Sequence, residues 1–240
     1  MRKYLLVVVL VVAALFVFNA CVAEIPREEE ETPNSSVTTI YDAIEPIFSA
    51  ATDSTVSAVV KGIVINAYSN VVQIEDLDGK AGLRVELAKG EELPEVGKVI
   101  EVGGTLKKYE KTNEGVVTFK MQDATYDVLD ETATPVFNEL DEAFFATDNN
   151  YKLNTLVEAT GLITKVVTGK YPKFYMDIEV GDATKSVVLF SFDNDVKDWI
   201  NTVGETYEGS NLYVKGYWSK YKDDWEIVAR SSEDIPAMSK

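Results

Sequence analysis

The sequence predicts an all-β protein built from two tandem five-stranded barrels with small flanking helices. Two observations predict this. The same pattern of strands and glycines occurs twice, beginning near 57 and again near 156. Each copy divides into five short apolar or alternating runs that are separated by turn residues, as strands are. The hydrophobic share of 46% is that of an ordinary globular protein, so most of the chain should fold.

The duplication is visible in three pairs of segments. They are VVKGIV from 59 and VEATGLI from 157, VGK from 96 and VGE from 203, and VGGTLKKY from 102 and VKGYWSKY from 214. The glycines precede or interrupt strands, where the chain must turn or bend. Two units of one architecture therefore follow each other along the chain.

Ten strands are predicted from these runs. In the first copy they lie near 57–67, 70–76, 81–88, 98–108 and 115–127, and in the second near 156–168, 172–180, 184–192, 210–219 and 224–230. Asp78-Gly79 is a hairpin signal between the second and third strands. A helix is predicted over 193–201, because capping residues open it and its apolar residues share one face. The matching stretch of the first copy, 89–95, is too short for more than a turn.

A helix-like segment precedes each copy. In Thr39–Ala51 the apolar residues have helical spacing, although Pro46 should shorten or kink the helix. In Val136–Ala146 the apolar spacing likewise favours a helix. Its apolar residues are Phe137, Leu140, Phe144 and Phe145.

Five strands with a helix between the third and fourth resemble the OB-fold. The resemblance covers about 57–130 and, more weakly, 155–235. The sequence there is similar to OB-fold domains of exported bacterial proteins. It implies a binding face on the second and third strands, between the connecting loops. It brings no catalytic motif.

The N-terminus resembles the signal of a bacterial lipoprotein. Arg2 and Lys3 precede an apolar run that ends at Cys21. The resemblance implies cleavage before Cys21 and attachment of acyl chains to it, which holds a protein durably on a membrane. The alternatives are an uncleaved anchor helix and a soluble secreted product. The predicted organisation is a signal peptide at 1–20, a disordered acidic tether at 21–37, and two OB-like domains with preceding helices at 38–130 and 131–240.

Residue counts exclude several kinds of active site. The chain has no histidine and one cysteine, so it has no histidine base, no His-ligated zinc and no intramolecular disulfide. The acidic pairs are Asp76 with Asp78, Asp193 with Asp195, and Asp223 with Asp224. Asp78 is explained as a turn residue and Asp193 as a helix cap, and no pair is singled out for catalysis. We therefore predict no catalytic residues, no metal site, no cofactor and no enzymatic activity.

An aromatic set in the second copy is the candidate ligand contact, because exposed rings can stack on sugars or bases. The alternative is that these rings pack the barrel. On the second strand we expect Phe174, Met176 and Ile178 to point inward. The candidates are Tyr171, Tyr175, Tyr217, Trp218, Tyr221 and Trp225.

Charge disfavours nucleic acid as the partner. The net charge of the chain is −17, and the copies hold 9 basic against 13 acidic residues (57–130) and 9 against 14 (155–235). Binding to phosphates relies on lysine and arginine. The sequence therefore favours a lipid-anchored, non-enzymatic binding or assembly module of the cell envelope that faces the periplasm or exterior and contacts a protein or a glycan. The alternatives are a single-stranded nucleic-acid binder and a carboxylate-dependent hydrolase.

Overall fold

A computed structural model describes residues 36–111 and 114–239. The predicted signal peptide, Cys21 and nearly all of the predicted tether lie outside these residues and stay predictions. Within the described residues, no helix has the length and apolar character that a membrane span requires.

The first barrel follows a short strand and a short helix. These are β1 (Thr38–Thr39) and α1 (Ile40–Ile44), after which Glu45–Ile47 forms a 3-10 turn. The five barrel strands are β2 (Thr55–Tyr68), β3 (Val71–Glu75), β4 (Gly82–Leu87), β5 (Val99–Lys111) and β6 (Val116–Val128). As the position of Pro46 predicts, the helix is short and ends before the proline.

The second barrel repeats this order. Its elements are β7 (Asn138–Glu139), β8 (Leu156–Val167), β9 (Lys173–Val180), β10 (Ala183–Ser191), α2 (Asn194–Val203), β11 (Asn211–Tyr221) and β12 (Asp224–Ala229). The 3-10 turns are Glu142–Phe145, Gly204–Tyr207, Ser232–Asp234 and Pro236–Ser239. The Asp193 carboxylate caps α2 by accepting a hydrogen bond from the Val196 amide at 3.0 Å.

Strand pairing closes both sheets in the same way. In the first barrel β2 pairs with both β3 and β5, and β4 runs parallel to β6. In the second, β8 pairs with β9 and β11, and β10 runs parallel to β12. A first strand shared by both halves and a parallel pairing of the third with the fifth strand define the connectivity. Both barrels have the OB fold, as the sequence predicts.

Each barrel encloses its own apolar core. Val60, Ile74 and Phe119 are among the buried residues of the first core, and Phe174, Met176 and Trp218 are among those of the second. Burial alternates along β9, so Phe174, Met176 and Ile178 point inward as expected.

Gly62 and its counterpart Gly161 allow adjacent strands to approach closely. A Cβ atom on Gly62 would lie 2.8 Å from the Glu75 carbonyl oxygen, a distance that Cβ atoms do not adopt. The irregularity in β2 pairing comes later, between Val64 and Asn66. The first-strand glycine is therefore explained by close approach, and the bend by a bulge beyond it.

The predicted helix over Val136–Ala146 is wrong. The segment contains the two-residue strand β7 and the 3-10 turn Glu142–Phe145, which Asp141 caps. Its apolar residues serve different cores, since Phe144 packs inside the second barrel while Phe137 packs between the barrels. One helix face could not reach both places, so the segment is extended and then turns.

The two barrels pack directly on each other. Ile63 and Ile65 of β2 form a buried cluster with Leu156, Tyr217 and Val228 of the second barrel. Hydrogen bonds cross the same interface. The Leu156 amide donates to the Glu75 carboxylate at 2.7 Å, and the Gly82 amide donates to the Tyr151 carbonyl at 2.9 Å. Apolar burial and these hydrogen bonds together fix the barrels relative to each other.

Gly82 is a test of this packing. A Cβ atom there would lie 2.4 Å from the Asn154 carbonyl carbon and 2.5 Å from the Leu153 carbonyl oxygen. Because backbone cannot move aside as a side-chain tip can, we expect Gly82→Ala to cost about 1–3 kcal/mol of stability. Urea denaturation measures this loss. Gly90→Ala is unsuited as a control, because Gly90 has a φ of +99°. The exposed Ser57→Ala change on β2 should leave stability unaltered, and an unaltered Gly82→Ala protein would show that the contact is absent in solution.

Candidate functional site

An open cleft runs along the joined faces of the two barrels. Its first part lies between the β3–β4 face of the first barrel and strands β11 and β12 of the second. Its second part lies on the second barrel, between the 168–172 loop and the ends of β10 and β11. The two parts share Phe192, Tyr221 and Glu226, so they form one continuous surface. We call this surface the inter-barrel cleft.

The cleft occupies the position where OB barrels commonly bind ligands. In the first barrel, Tyr68 comes from the end of β2, Gln73 and Arg84 from the paired strands β3 and β4, and Glu114 from the β5–β6 turn. In the second barrel, Tyr171 comes from the loop between the first two barrel strands. Both binding faces therefore contribute to the same cleft.

Four aromatic rings in the cleft are unusually exposed. The exposed fractions are 43% for Tyr68, 63% for Tyr171, 70% for Phe192 and 54% for Tyr221. Large exposed apolar groups that cluster on one surface generally mark a contact site. These rings come from both barrels and from four different elements, so the fold brings together what the sequence separates.

Arg84 is held in place at the first-barrel end of the cleft. Its guanidinium donates to the Tyr68 hydroxyl at 3.3 Å and to the Glu86 carboxylate at 3.3 Å. Lys120 and Gln122 also donate to Glu86, at 3.1 Å each. These bonds orient Arg84 beside an exposed ring. Burial raises the pKa of the neighbouring Tyr109 to about 12, so its hydroxyl stays protonated and can donate.

Two lysines lie where the barrels meet. Lys111 Nζ donates to the Lys220 carbonyl at 2.8 Å and pairs with Glu114. Lys220 is buried beside Trp225, with its Nζ 4.4 Å from the ring centroid, and burial lowers the pKa of this lysine. Lys173 adds a fourth cation in the second part of the cleft. Four cations thus line the cleft against two carboxylates, Glu114 and Glu226.

Glu226 lies on the floor where the two parts of the cleft join. It is only 8% exposed, and within the described residues no group donates a hydrogen bond to its carboxylate or pairs with it as an ion. Burial raises the pKa of Glu226 to about 7, against the attraction of Lys173. The floor of the cleft therefore holds a carboxylate that reaches solvent and that no described protein group engages.

Amide side chains complete the floor at the first-barrel end. Asn66 Nδ2 donates to Gln73 Oε1, and Gln73 Nε2 donates to Asn154 Oδ1, both at 2.9 Å. Tyr217 also lies there, and burial raises the pKa of its hydroxyl, which therefore stays protonated. This chain of amides satisfies buried polar groups between the barrels.

The structure brings three of the six sequence-predicted contact residues to the cleft. Tyr171 and Tyr221 are exposed on its walls, and Tyr217, which is 5% exposed, lies on its floor. Contact of these residues with a ligand stays a prediction.

The other three lie elsewhere. Trp218 is 0% exposed in the second core, where its ring stacks on Trp225 with centroids 5.5 Å apart. A ring with no exposed surface cannot contact a ligand, so Trp218 is a core residue and not a ligand contact. Trp225 packs against the same core. Tyr175 lies on β9 with the Lys173 ammonium 4.8 Å from its ring centroid, outside the residues that line the cleft.

Sequence reasoning missed several cleft residues. Tyr68 was visible as the lone aromatic of its strand and turn, while Phe192 directly follows the third strand of the second copy. Arg84 and Glu226 carry no sequence signal beyond their charge. Their roles follow from the packing of one barrel on the other, which no local pattern encodes.

Members of two of the acidic pairs have structural roles. Asp193 caps α2, and the Asp76 carboxylate accepts from the Ile40 amide at 2.6 Å and the Tyr41 amide at 3.1 Å. Over 36–111 and 114–239, no group of three or more acidic or cysteine side chains has the arrangement of a metal site.

Comparisons with known proteins gave matches only among solved structures. No family model matches the sequence, and no curated protein matches it. Fission yeast Pot1 with single-stranded DNA matches at 13% identity, with 75% of this chain, 81% of that chain and a TM-score of 0.32. The single-stranded DNA binding protein of Thermus aquaticus matches at 15% identity, with 75% and 91% covered and a TM-score of 0.26. A murine DNA-binding protein bound with double-stranded DNA matches at 10%, with 73% and 90% covered and a TM-score of 0.33.

The function predicted from sequence needs correction. We expected a lipid-anchored module that contacts a protein or a glycan, with nucleic acid disfavoured as a partner. The similar solved structures include proteins that bind DNA, so this preference is wrong. The charge counts averaged over whole domains, whereas four cations and two carboxylates line the cleft itself.

Proposed function

We propose that this protein binds single-stranded nucleic acid along the inter-barrel cleft and does not transform it chemically. One observation carries the proposal. Four exposed rings, Tyr68, Tyr171, Phe192 and Tyr221, line one continuous cleft together with four cationic side chains. Aromatic platforms for bases beside cations for phosphates are the two parts of a single-strand site.

Stacking supplies most of the binding energy in this proposal. A base that stacks on an aromatic ring contributes about 1–3 kcal/mol, whatever its sequence. Rings at 43–70% exposure have free faces that a flexible strand can reach. The bases of a duplex already stack on each other, so a duplex of the same sequence should bind more weakly.

The number of cations that line the cleft sets how steeply binding weakens as the salt concentration rises. For a single strand, the slope of log K against log salt is about −0.7 per phosphate contact. With four cations lining the cleft, we expect a slope no steeper than about −3. The remaining acidic surface repels phosphates, which confines the strand to the cleft.

Replacing one exposed ring tests the proposal directly. We expect Tyr221→Ala and Tyr171→Ala each to weaken binding of a mixed-sequence oligonucleotide about 5- to 100-fold, the loss of one stacked base. Fluorescence anisotropy of a labelled oligonucleotide with the full chain in non-ionic detergent measures this. Both rings are more than half exposed, so the melting temperature should not change.

The matched control is Tyr213→Ala. Tyr213 is 38% exposed but lies outside the cleft, where its hydroxyl donates to Glu158 at 2.6 Å. Its loss should leave affinity within about twofold of wild type. Absence of binding by the wild-type chain, or equal losses for all three variants, would contradict the proposal.

A further inference from the structure

Glu226 is a cleft group whose chemistry the proposed function leaves unused. The residue as a whole is 8% exposed, but its carboxylate oxygens are not among the fully buried side-chain atoms that lack a hydrogen-bond partner. Since no described residue donates to this carboxylate, its oxygens are open to the cleft, where a ligand can supply a donor.

Charged neighbours approach Glu226 from three elements and are engaged elsewhere. Lys173 at the start of β9 pairs with Asp224 of β12 at 3.2 Å. Lys111 at the end of β5 pairs with Glu114 of the following turn and donates to the Lys220 carbonyl at 2.8 Å. Each cation thus has its own partner, and the Glu226 carboxyl remains available.

The position of Glu226 relative to the exposed rings gives it a geometric role. Phe192 and Tyr221 line both parts of the cleft, and Glu226 lies on the floor between the two parts. A base that stacks on either ring can turn an edge toward that floor. Proteins read unstacked bases in this way, with a ring against the face and a polar group at the edge.

We propose that Glu226 makes the cleft prefer bases that carry an exocyclic amine, such as cytosine, over thymine and uracil. The inference rests on the proposed function. A carboxyl oxygen accepts from the N4 amine of cytosine, which is the pairing that acidic side chains make with this base. Thymine presents the O4 carbonyl oxygen at the same place, and two acceptors repel each other.

The ionised form of the carboxyl carries this preference. Burial raises the pKa of Glu226 to about 7, so both forms of the carboxyl are populated at neutral pH in the empty cleft. The carboxylate can only accept, so it favours the amine of cytosine, whereas the carboxylic acid can also donate to O4 of thymine and discriminates little between the two bases. The neutral form also lessens the repulsion of nearby phosphates.

Oligo(dC) and oligo(dT) of equal length test the inference on the full chain at mildly alkaline pH. We expect wild type to bind oligo(dC) about tenfold more tightly than oligo(dT). Glu226→Gln should reduce this ratio below about twofold, because a carboxamide can rotate to accept from cytosine or donate to thymine. Glu179→Gln, which removes an exposed charge on β9, should keep the ratio of the wild type.

A modified strand tests the same contact without changing the protein. Oligo(dC) with N4,N4-dimethylated bases has no amine hydrogen, so it should bind no better than oligo(dT). Equal affinity of wild type for oligo(dC) and oligo(dT), or an unchanged ratio in Glu226→Gln, would overturn the role of Glu226 alone. Failure of wild type to bind any strand would overturn the proposed function and this inference with it.

Discussion

Trp218→Ala should lower the free energy of unfolding by about 3–5 kcal/mol, the usual loss when a large aromatic is removed from a core. Trp218 is 0% exposed and contacts three other rings. Its centroid lies 5.5 Å from that of Trp225, 6.0 Å from Phe144 and 5.2 Å from Phe145. Its indole N–H also donates to the Phe144 carbonyl at 2.9 Å, so truncation removes a buried hydrogen bond and leaves a cavity, although Asn150 Nδ2 still donates to the same carbonyl at 3.1 Å.

Two controls separate these contributions. Trp218→Phe keeps much of the ring volume but loses the hydrogen bond, so we expect a smaller loss of about 1–3 kcal/mol. Tyr171→Ala should leave stability unchanged, because this ring is 63% exposed. Urea denaturation followed by far-ultraviolet circular dichroism measures all three variants without relying on tryptophan fluorescence. A stable Trp218→Ala protein that had lost oligonucleotide binding would show instead that Trp218 contacts the ligand.

The strands could be predicted because their signals are local. Each end of the ten barrel strands lies within three residues of the predicted one, since alternation and turn residues such as Asp78-Gly79 act over a few positions. The capping residue Asp193 likewise predicted the start of α2. The failure at Val136–Ala146 has the opposite origin, because Phe137 and Phe144 belong to different apolar clusters. The spacing of Phe137 and Phe144 along the chain is nevertheless that of two residues on one face of a helix.

The cleft could not be predicted, because it depends on how the barrels pack. Tyr68 and Arg84 belong to the first barrel, whereas Tyr221 and Glu226 belong to the second. Three of the four exposed rings come from the second barrel, and only the packing of the barrels brings Tyr68 and Arg84 beside them. The candidate set from the sequence accordingly mixed wall residues such as Tyr171 with the core residue Trp218, because an aromatic side chain is used in both ways.

The stability of the wild-type protein should decrease as the pH rises from about 4.5 to about 7, through the titration of Glu75. This carboxyl is 0% exposed between the barrels, where one oxygen accepts from the Leu156 amide and the other has no partner in the described residues. Burial raises the pKa of Glu75 from 4.5 to about 7. The folded state therefore holds a proton that the unfolded state has already lost.

The sign and size of the effect follow from linkage. The contribution of Glu75 is fully present below the unfolded pKa and is lost as the pH passes through the folded pKa. Each unit of pKa difference corresponds to about 1.4 kcal/mol, so the loss is on the order of 3 kcal/mol. Burial also raises the pKa of Asp76 to about 6 and that of Glu226 to about 7, and both act in the same direction.

Glu75→Gln isolates the share of Glu75, because glutamine keeps an acceptor for the Leu156 amide but does not titrate. The difference in unfolding free energy between wild type and Glu75→Gln should shift in favour of the variant between about pH 5 and about pH 8. The exposed Glu139→Gln change is the control, since it removes the same formal charge outside the interface. Asp76→Asn is a poor control because Asp76 accepts from two amides at the start of α1. A difference that stayed constant with pH would mean that Glu75 is ionised in the folded protein and that its second oxygen has found a donor between the barrels.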